Sequence, residues 1–208
     1  MLNVKQTHED PTDVLDEVRF AENREPRCPC VLLIDTSDSM KGDSIAQVNK
    51  GFAELLSTLN SDDLASLRVE LGVVTFGGTP KVVQALDSVD RIELQEFSVS
   101  GNTPMGEAIR QGFAMLDTCK TMYKANGVPY YRPWVFLLTD GQPTDEWKEA
   151  AAMVHEQERG KHVAFFAVGV DNANMEILKE ISVREPRRLK DGKYAEMFEW
   201  LSTSLSKV

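Results

Sequence analysis

The chain has 208 residues, 42% of them hydrophobic and 27% charged, enough apolar material for one sizeable core and too much for global disorder. Its 33 acidic residues outnumber 23 basic ones, a formal net charge of −10, which disfavours non-specific binding to DNA, RNA or an anionic membrane. The longest strongly apolar stretch, Val163 to Val170, is far short of the roughly 20 residues that span a bilayer, and the acidic N-terminus has no apolar targeting core, so the expectation is a cytoplasmic protein.

Residues 1–27 read as an acidic N-terminal extension and 28–208 as the domain. The extension holds seven acidic and four basic residues, so it carries negative charge apart from the body of the chain. Asp10-Pro11 suits the N-cap and first position of a short helix with Val14, Leu15 and Val18 on one stripe. That helix either packs on the flank of the domain or serves as a docking arm. Val31 to Ile34 is a continuous apolar run, as in a buried parallel strand. Asp43 or Ser44 is expected to cap a helix to about Leu59, with Ile45, Val48, Phe52, Leu55, Leu56 and Leu59 inward. Leu67 to Phe76 reads as a strand and Lys81 to Leu86 as its neighbour; Ile92 to Phe97 reads as a weak or edge strand. Pro104 starts a helix to about Tyr123, and 124–132 form a loop. Trp134 to Leu138 is a second central strand. Asp145 or Thr144 is expected to cap a helix to about Arg159, stopped by Gly160. His162 to Val168 is a third buried strand. Asn172 or Asn174 opens a helix to about Ile181, Arg187 to Leu189 makes a short strand, and Tyr194 to Leu205 a final helix.

Alternation of helices with apolar strands predicts an α/β fold: a doubly wound, mostly parallel sheet flanked by helices on both faces, in three layers. Such sheets bind ligands at the carboxyl ends of strands, where the strand order reverses. The segments at those ends are Asp35-Thr36-Ser37-Asp38-Ser39-Met40, Gly101-Asn102-Thr103-Pro104 and Thr139-Asp140-Gly141. Together they offer the carboxylates of Asp35 and Asp140 and the hydroxyls of Ser37, Ser39 and Thr103. Five hard oxygen donors suit Mg²⁺, Mn²⁺ or Ca²⁺ and not copper or thiolate zinc. Asp-x-Ser-x-Ser sets three oxygen side chains on one side of an extended loop, because alternate residues share a face.

These five residues, in this order and at these elements, resemble the von Willebrand factor A (vWA) domain with its metal-ion-dependent adhesion site. The resemblance runs from about residue 28 to 205. Glu25-Pro26-Arg27-Cys28-Pro29 and Tyr131-Arg132-Pro133-Trp134 are similar to the TerY-type branch of bacterial tellurium-resistance proteins. The resemblance implies a divalent cation, Mg²⁺ first and Mn²⁺ or Ca²⁺ as alternatives, held directly by the serine and threonine hydroxyls. Asp35 and Asp140 then act through water, and one position stays open for an Asp or Glu carboxylate of a partner protein. It implies a protein–protein interaction module in a tellurite-resistance or stress-response system, with kinase-like and phosphatase-like partners and no nucleic acid or membrane. One position departs from the pattern: Asp38 stands where the family usually has glycine. Aspartate tolerates a left-handed backbone, so the turn is expected to survive there. Asp43 and Asp145 read as helix caps and not ligands.

No phosphate loop, dinucleotide fingerprint or nucleophile elbow is present. A metal-assisted phosphoester hydrolase using Asp35 and Asp140 is the surviving enzyme alternative, and a metal-free vWA scaffold is the other. Three cysteines exclude a full disulfide framework, and Cys28-Pro29-Cys30 reads as reduced thiols at the first strand. Two further clusters carry open alternatives. Tyr123, Tyr130, Tyr131 and Trp134 make either core contacts or a partner patch. The basic stretch Arg184, Arg187, Arg188, Lys190 and Lys193 pairs with local carboxylates or meets an anion.

Overall fold

The computed structural model describes residues 23–189 and 193–208. The N-terminal helix expected around residues 10–18, and Lys190, lie outside the described residues. Six strands form one sheet: β1 (Cys28–Asp35), β2 (Val69–Phe76), β3 (Lys81–Ser88), β4 (Trp134–Thr139), β5 (Ala164–Val170) and β6 (Arg187–Leu189). Their order is β3-β2-β1-β4-β5-β6, parallel throughout except for β3, which runs antiparallel to β2 with shifts in register. The helices are α1 (Asp43–Asn60), α2 (Asp63–Arg68), α3 (Met105–Ala125), α4 (Lys148–Arg159), α5 (Met175–Ile181) and α6 (Tyr194–Leu205). The expected three-layer α/β architecture is therefore present.

β1 and β2 are buried along their whole length, which is why their sequences are apolar without alternation. Successive side chains of β1 divide between two cores. Cys28, Cys30, Leu32 and Ile34 pack with α1 and α6 on one face; Val31 and Leu33 pack with α3, α4 and α5 on the other. α1 and α6 approach closely through Gly51: a Cβ there would lie 2.1 Å from the Phe198 ring.

Several local expectations differ from the structure. Ile92 to Phe97 forms no strand. A 3₁₀ turn at Val89–Arg91 is followed by irregular chain, and Phe97 bonds the side chain of Asn49 instead of a neighbouring strand: its N–H donates to Asn49 Oδ1 at 2.8 Å and its carbonyl accepts from Nδ2 at 3.0 Å. β2 starts at Val69 and not at Leu67, because Asp62 caps α2 through the N–H groups of Leu64 and Ala65. α1 is entered through Gly42 at φ 95°, which places Asp43 inside the first turn as a helical residue and not as its cap. Asn174 caps α5 as expected, through the N–H groups of Glu176 and Ile177.

Of the aromatic cluster, Tyr123, Tyr130 and Trp134 make core contacts, while Tyr131 is exposed. Tyr123 is fully buried and packs on Tyr130 at 5.2 Å, while Trp134 packs on Phe166 at 5.5 Å. Tyr123 and Arg27 both reach the buried Glu70 carboxylate; Arg27 Nε lies 3.2 Å from Glu70 Oε1, and its Nη2 donates to the Asn23 carbonyl at 2.9 Å. The described part of the basic stretch makes local contacts. Arg184 Nε donates to Glu158, Arg188 to the carbonyls of Asp171 and Ala173, and Lys193 to Glu196.

Candidate metal centre

The chain lays down β1, β2 and β3 in one direction and then returns to place β4 on the other side of β1. The crevice at this reversal opens at the carboxyl ends of β1 and β4, where Ile34 pairs with Leu138. Asp35 is the last residue of β1, Thr139 is the last of β4, and Asp140 follows it directly. The sheet register alone therefore sets the two halves of the sequence motif side by side.

Hydrogen bonds join the motif into one unit. Asp35 Oδ1 accepts from the Ser37 N–H at 2.8 Å, folding the loop back on its own carboxylate. Ser37 Oγ and Ser39 Oγ lie 3.0 Å apart, and Ser39 Oγ donates to Asp140 Oδ1 at 2.7 Å. Thr103 arrives from the loop before α3. Its position is fixed by Gly141, where an added Cβ would come within 3.1 Å of Thr103 Oγ1 and 3.6 Å of Asp35 Oδ2. All five residues singled out in the sequence thus meet at one place: Asp35, Ser37, Ser39, Thr103 and Asp140. Asp35, Ser37 and Thr103 are buried, Asp140 is half-buried, and Ser39 is exposed at the mouth.

The carboxylates are held without a counter-charge. Neither Asp35 nor Asp140 has an ion-pair partner among the described residues. Burial pushes the Asp35 carboxyl above its ordinary range, opposed by hydrogen bonds from Ser37 and Thr139 and reinforced by Asp140. Burial likewise raises Asp140, opposed by the Ser39 hydroxyl and reinforced by Asp171. Such a pair gains from a cation that restores the charge balance. Among the described residues no three His, Cys, Asp or Glu side chains gather as a metal cluster, and the other oxygens at this place are the hydroxyls of Ser37, Ser39 and Thr103.

Asp38, at the usual glycine position, is used elsewhere. It lies in a 3₁₀ turn (Asp38–Met40) and does not take the left-handed backbone that the sequence suggested as the issue there. Its Oδ1 accepts from the Gly101 N–H at 3.1 Å and its own N–H donates to the Gly101 carbonyl at 3.0 Å. Asp38 therefore ties the Ser37–Ser39 loop to the loop that carries Thr103. Asp145 is a cap, but of another helix: its carboxylate accepts from the N–H groups of Gly106 and Glu107 in the first turn of α3, while α4 is entered at Trp147. Thr144 Oγ1 accepts from the Thr103 N–H at 3.1 Å, and the Thr144 N–H donates to the Thr103 carbonyl at 2.9 Å. The loop after β4 thus braces the threonine of the centre from both sides.

Two participants were not singled out in the sequence. Thr139 Oγ1 donates to Asp35 Oδ2 at 2.5 Å and orients that carboxylate. Asp171, at φ 48° just past β5, accepts from Ser44 Oγ at 2.9 Å and adds negative charge near Asp140. The rule that ligands gather at strand carboxyl ends, applied to β5 as well as to β1 and β4, finds Asp171.

The family model for the von Willebrand factor type A domain matches residues 30–199. Matrilin-3 from Mus musculus is 27% identical over 154 residues, covering 72% of this chain and 31% of its own length. The pilus adhesin SpaC from Lactobacillus rhamnosus GG superposes with a TM-score of 0.72 at 16% identity, covering 89% of this chain and 31% of that one. Proximal thread matrix protein 1 from the mussel byssus, solved with a zinc-occupied MIDAS motif, superposes with a TM-score of 0.59 at 16% identity, over 88% of this chain and 49% of that one. The chain spans about a third of the length of matrilin-3. No helix among the described residues is long and apolar enough to cross a membrane.

Proposed function

The chain belongs to the von Willebrand factor type A family, and from that premise we propose that it is a cation-dependent protein-interaction module. Asp35, Ser37, Ser39, Thr103 and Asp140 would hold a divalent cation, Mg²⁺ first and Mn²⁺ or Ca²⁺ as alternatives. The observation that carries this reading is the meeting of two carboxylates that lack a counter-charge with three hydroxyls, at the point where strand order reverses. The donor chemistry fits a hard cation, two carboxylates balancing its charge and three hydroxyls completing its oxygen shell. With the three hydroxyls bound directly and Asp35 and Asp140 acting through water, a bound ion keeps Lewis-acid character toward the exposed mouth at Ser39. An Asp or Glu carboxylate on a partner protein supplies the complementary ligand. The mussel protein with zinc in its MIDAS motif supports cation chemistry on this fold.

The finer setting follows from the resemblance around Glu25 to Pro29 and Tyr131 to Trp134. We infer a role in a bacterial tellurite-resistance or stress-response system, in the cytoplasm, with kinase-like or phosphatase-like partner proteins. The test is the heat of Mg²⁺, Mn²⁺ and Ca²⁺ binding to the full chain and to Asp140→Ala. One-site binding that the substitution removes, with the circular dichroism spectrum kept, is the expected result. Equal binding by both proteins would overturn the site. No binding by the wild-type chain at millimolar cation would leave the metal-free scaffold as the working description.

A further inference from the structure

The amino edge of the sheet, opposite the metal centre, carries a pocket of about 370 Å³ that the proposed function leaves unexplained. It is lined by Lys120 and Lys124 from the last turns of α3, Tyr130 and Arg132 from the approach to β4, and Lys161 and His162 from the turn between α4 and β5. In a chain with a net charge of −10, four cations meet here against a single lining carboxylate, Asp117. Asp117 is already paired with Lys120 at 2.7 Å. Lys124 and Lys161 have no ion-pair partner among the described residues. The C-terminal dipole of α3, equivalent to about half a negative charge, is outweighed by the two lysines of its own last turns.

The turn that delivers Lys161 is built in an unusual way. Gly160 follows α4, yet it keeps a right-handed backbone at φ −72°, and it is Lys161 that takes the left-handed conformation at φ 56°. A lysine there is strained where a glycine is not. The glycine serves a different purpose: a Cβ at 160 would come within 2.5 Å of the His162 ring, so Gly160 leaves the space that the imidazole fills in the pocket wall. Arg132 is incompletely engaged. Its hydrogen bonds among the described residues all run through Nη2, to Glu158 and Val163, and its buried Nε has no partner there. The pocket is thus left with the two ammonium groups of Lys124 and Lys161, which have no ion-pair partner among the described residues.

We propose that this pocket is a binding site for a phosphate-bearing small molecule, of the size of a diphosphate. The planar fork of Arg132, which suits carboxylates, is directed at Glu158, and what remains toward the pocket is a set of ammonium point charges from two elements, α3 and the turn between α4 and β5. Tetrahedral phosphate oxygens accept from such divergent donors better than a flat carboxylate does. The volume exceeds what one carboxylate needs and lies within the range of small-ligand pockets. The strain at Lys161 is retained because it aims a charge into this space.

The experiment is calorimetric titration of the full chain at pH 7, without added divalent cation, with inorganic pyrophosphate, inorganic phosphate and citrate. The expected result is one-site binding of pyrophosphate, tighter than phosphate and citrate. Lys161→Gly should weaken it about tenfold while the thermal midpoint stays level or rises, because glycine accepts the left-handed backbone. Lys124→Ala should weaken it by a similar factor, and Thr103→Ala, at the other edge of the sheet, should leave it unchanged. Absence of pyrophosphate binding at 10 mM, citrate binding as tight as pyrophosphate, or wild-type affinity retained by both Lys161→Gly and Lys124→Ala would each overturn the proposal.

Discussion

Ser39 Oγ donates to Asp140 Oδ1 at 2.7 Å, joining two loops that lie 101 residues apart in the chain. The bond fixes the carboxylate at the mouth of the metal centre and holds the serine oxygen 3.0 Å from that of Ser37. Ser39→Ala removes one proposed ligand and frees Asp140 to turn toward water. The expected outcome is a tenfold or greater loss of Mg²⁺ affinity, about 1.4 kcal/mol or more. Ser39 is exposed, so the thermal midpoint should move little. Titration calorimetry beside a melting curve separates the two effects, and unchanged affinity would remove Ser39 from the site.

Gly141 tests the same centre from the other side. A methyl group there would press on Thr103 Oγ1 at 3.1 Å and approach Asp35 Oδ2 at 3.6 Å. The neighbours must give by a few tenths of an ångström, and the hydroxyl of Thr103 is the group able to rotate. Gly141→Ala is therefore expected to weaken cation binding several-fold while costing the fold about 1 kcal/mol, the lower end of overpacking. Paired urea denaturation and cation titration would show it; a variant that binds Mg²⁺ like the wild type would mean that Thr103 is not a ligand.

Asp38 provides the opposite control. Its carboxylate accepts from the Gly101 N–H and from none of the three hydroxyls among the hydrogen bonds of the described residues. Asp38→Gly restores the residue usual in the family and removes one exposed hydrogen bond, which costs about 0.5–1.5 kcal/mol. Cation affinity should change by less than about threefold. A larger change on titration would place Asp38 among the groups that set the charge of the centre.

Glu158 makes the fold sensitive to acid. Its carboxylate is buried, which by itself raises its pKa; Arg184, the Phe165 N–H and Arg132 outweigh that burial and hold it below its ordinary value. A carboxyl whose folded value is depressed stabilises the fold above the unfolded value, about 4.3 for glutamate, and loses that contribution as pH falls through the folded value. Glu158→Gln should cost about 1 kcal/mol at pH 7, since the arginines it leaves, Arg132 and Arg184, are themselves 31% and 42% exposed and stay solvated. The gap between the variant and the wild type should narrow as pH is lowered from 5 toward 3. Urea midpoints measured across that range check both the size and the sign.

Much of this was legible in the sequence because it depends on short-range pattern. The runs Val31–Ile34 and Trp134–Leu138 are apolar since both faces of β1 and β4 are covered, and the Asp-x-Ser-x-Ser spacing needs only an extended loop to align its oxygens. What escaped depends on tertiary partners. Phe97 bonds a helix side chain and so leaves the strand pattern. Asp145 reads as the cap of the helix that follows it, yet it reaches the first turn of α3, 38 residues back from it. Ser61 ends one helix and Asp62 caps the next at once, too short an interval for hydrophobic period to register. Asp171 and the lysines of the amino-edge pocket lie far apart in sequence, and only the parallel order of β1, β4 and β5 gathers each set.

The cysteines yield the last prediction. Cys28, Cys30 and Cys119 are all free and all buried. Cys28 and Cys30 sit at alternate positions of β1, on the face packed with α1 and α6, with no polar surroundings to favour a thiolate. Burial pushes the Cys28 thiol up to about 12, and burial followed by the neighbouring Cys28 raises Cys30 well above its ordinary value. A raised value keeps the protonated form, and the thiol is the unreactive state. At pH 8 the native chain should therefore react with an aromatic disulfide reagent only as fast as it unfolds, and in 6 M guanidinium all three thiols should titrate within minutes. Adding Mg²⁺, which the proposed function ties to the folded state, should slow the native reaction further. Rapid release of one equivalent from the folded protein would mean that one buried thiol is exposed by local opening, and Cys119→Ser would tell the first strand from α3.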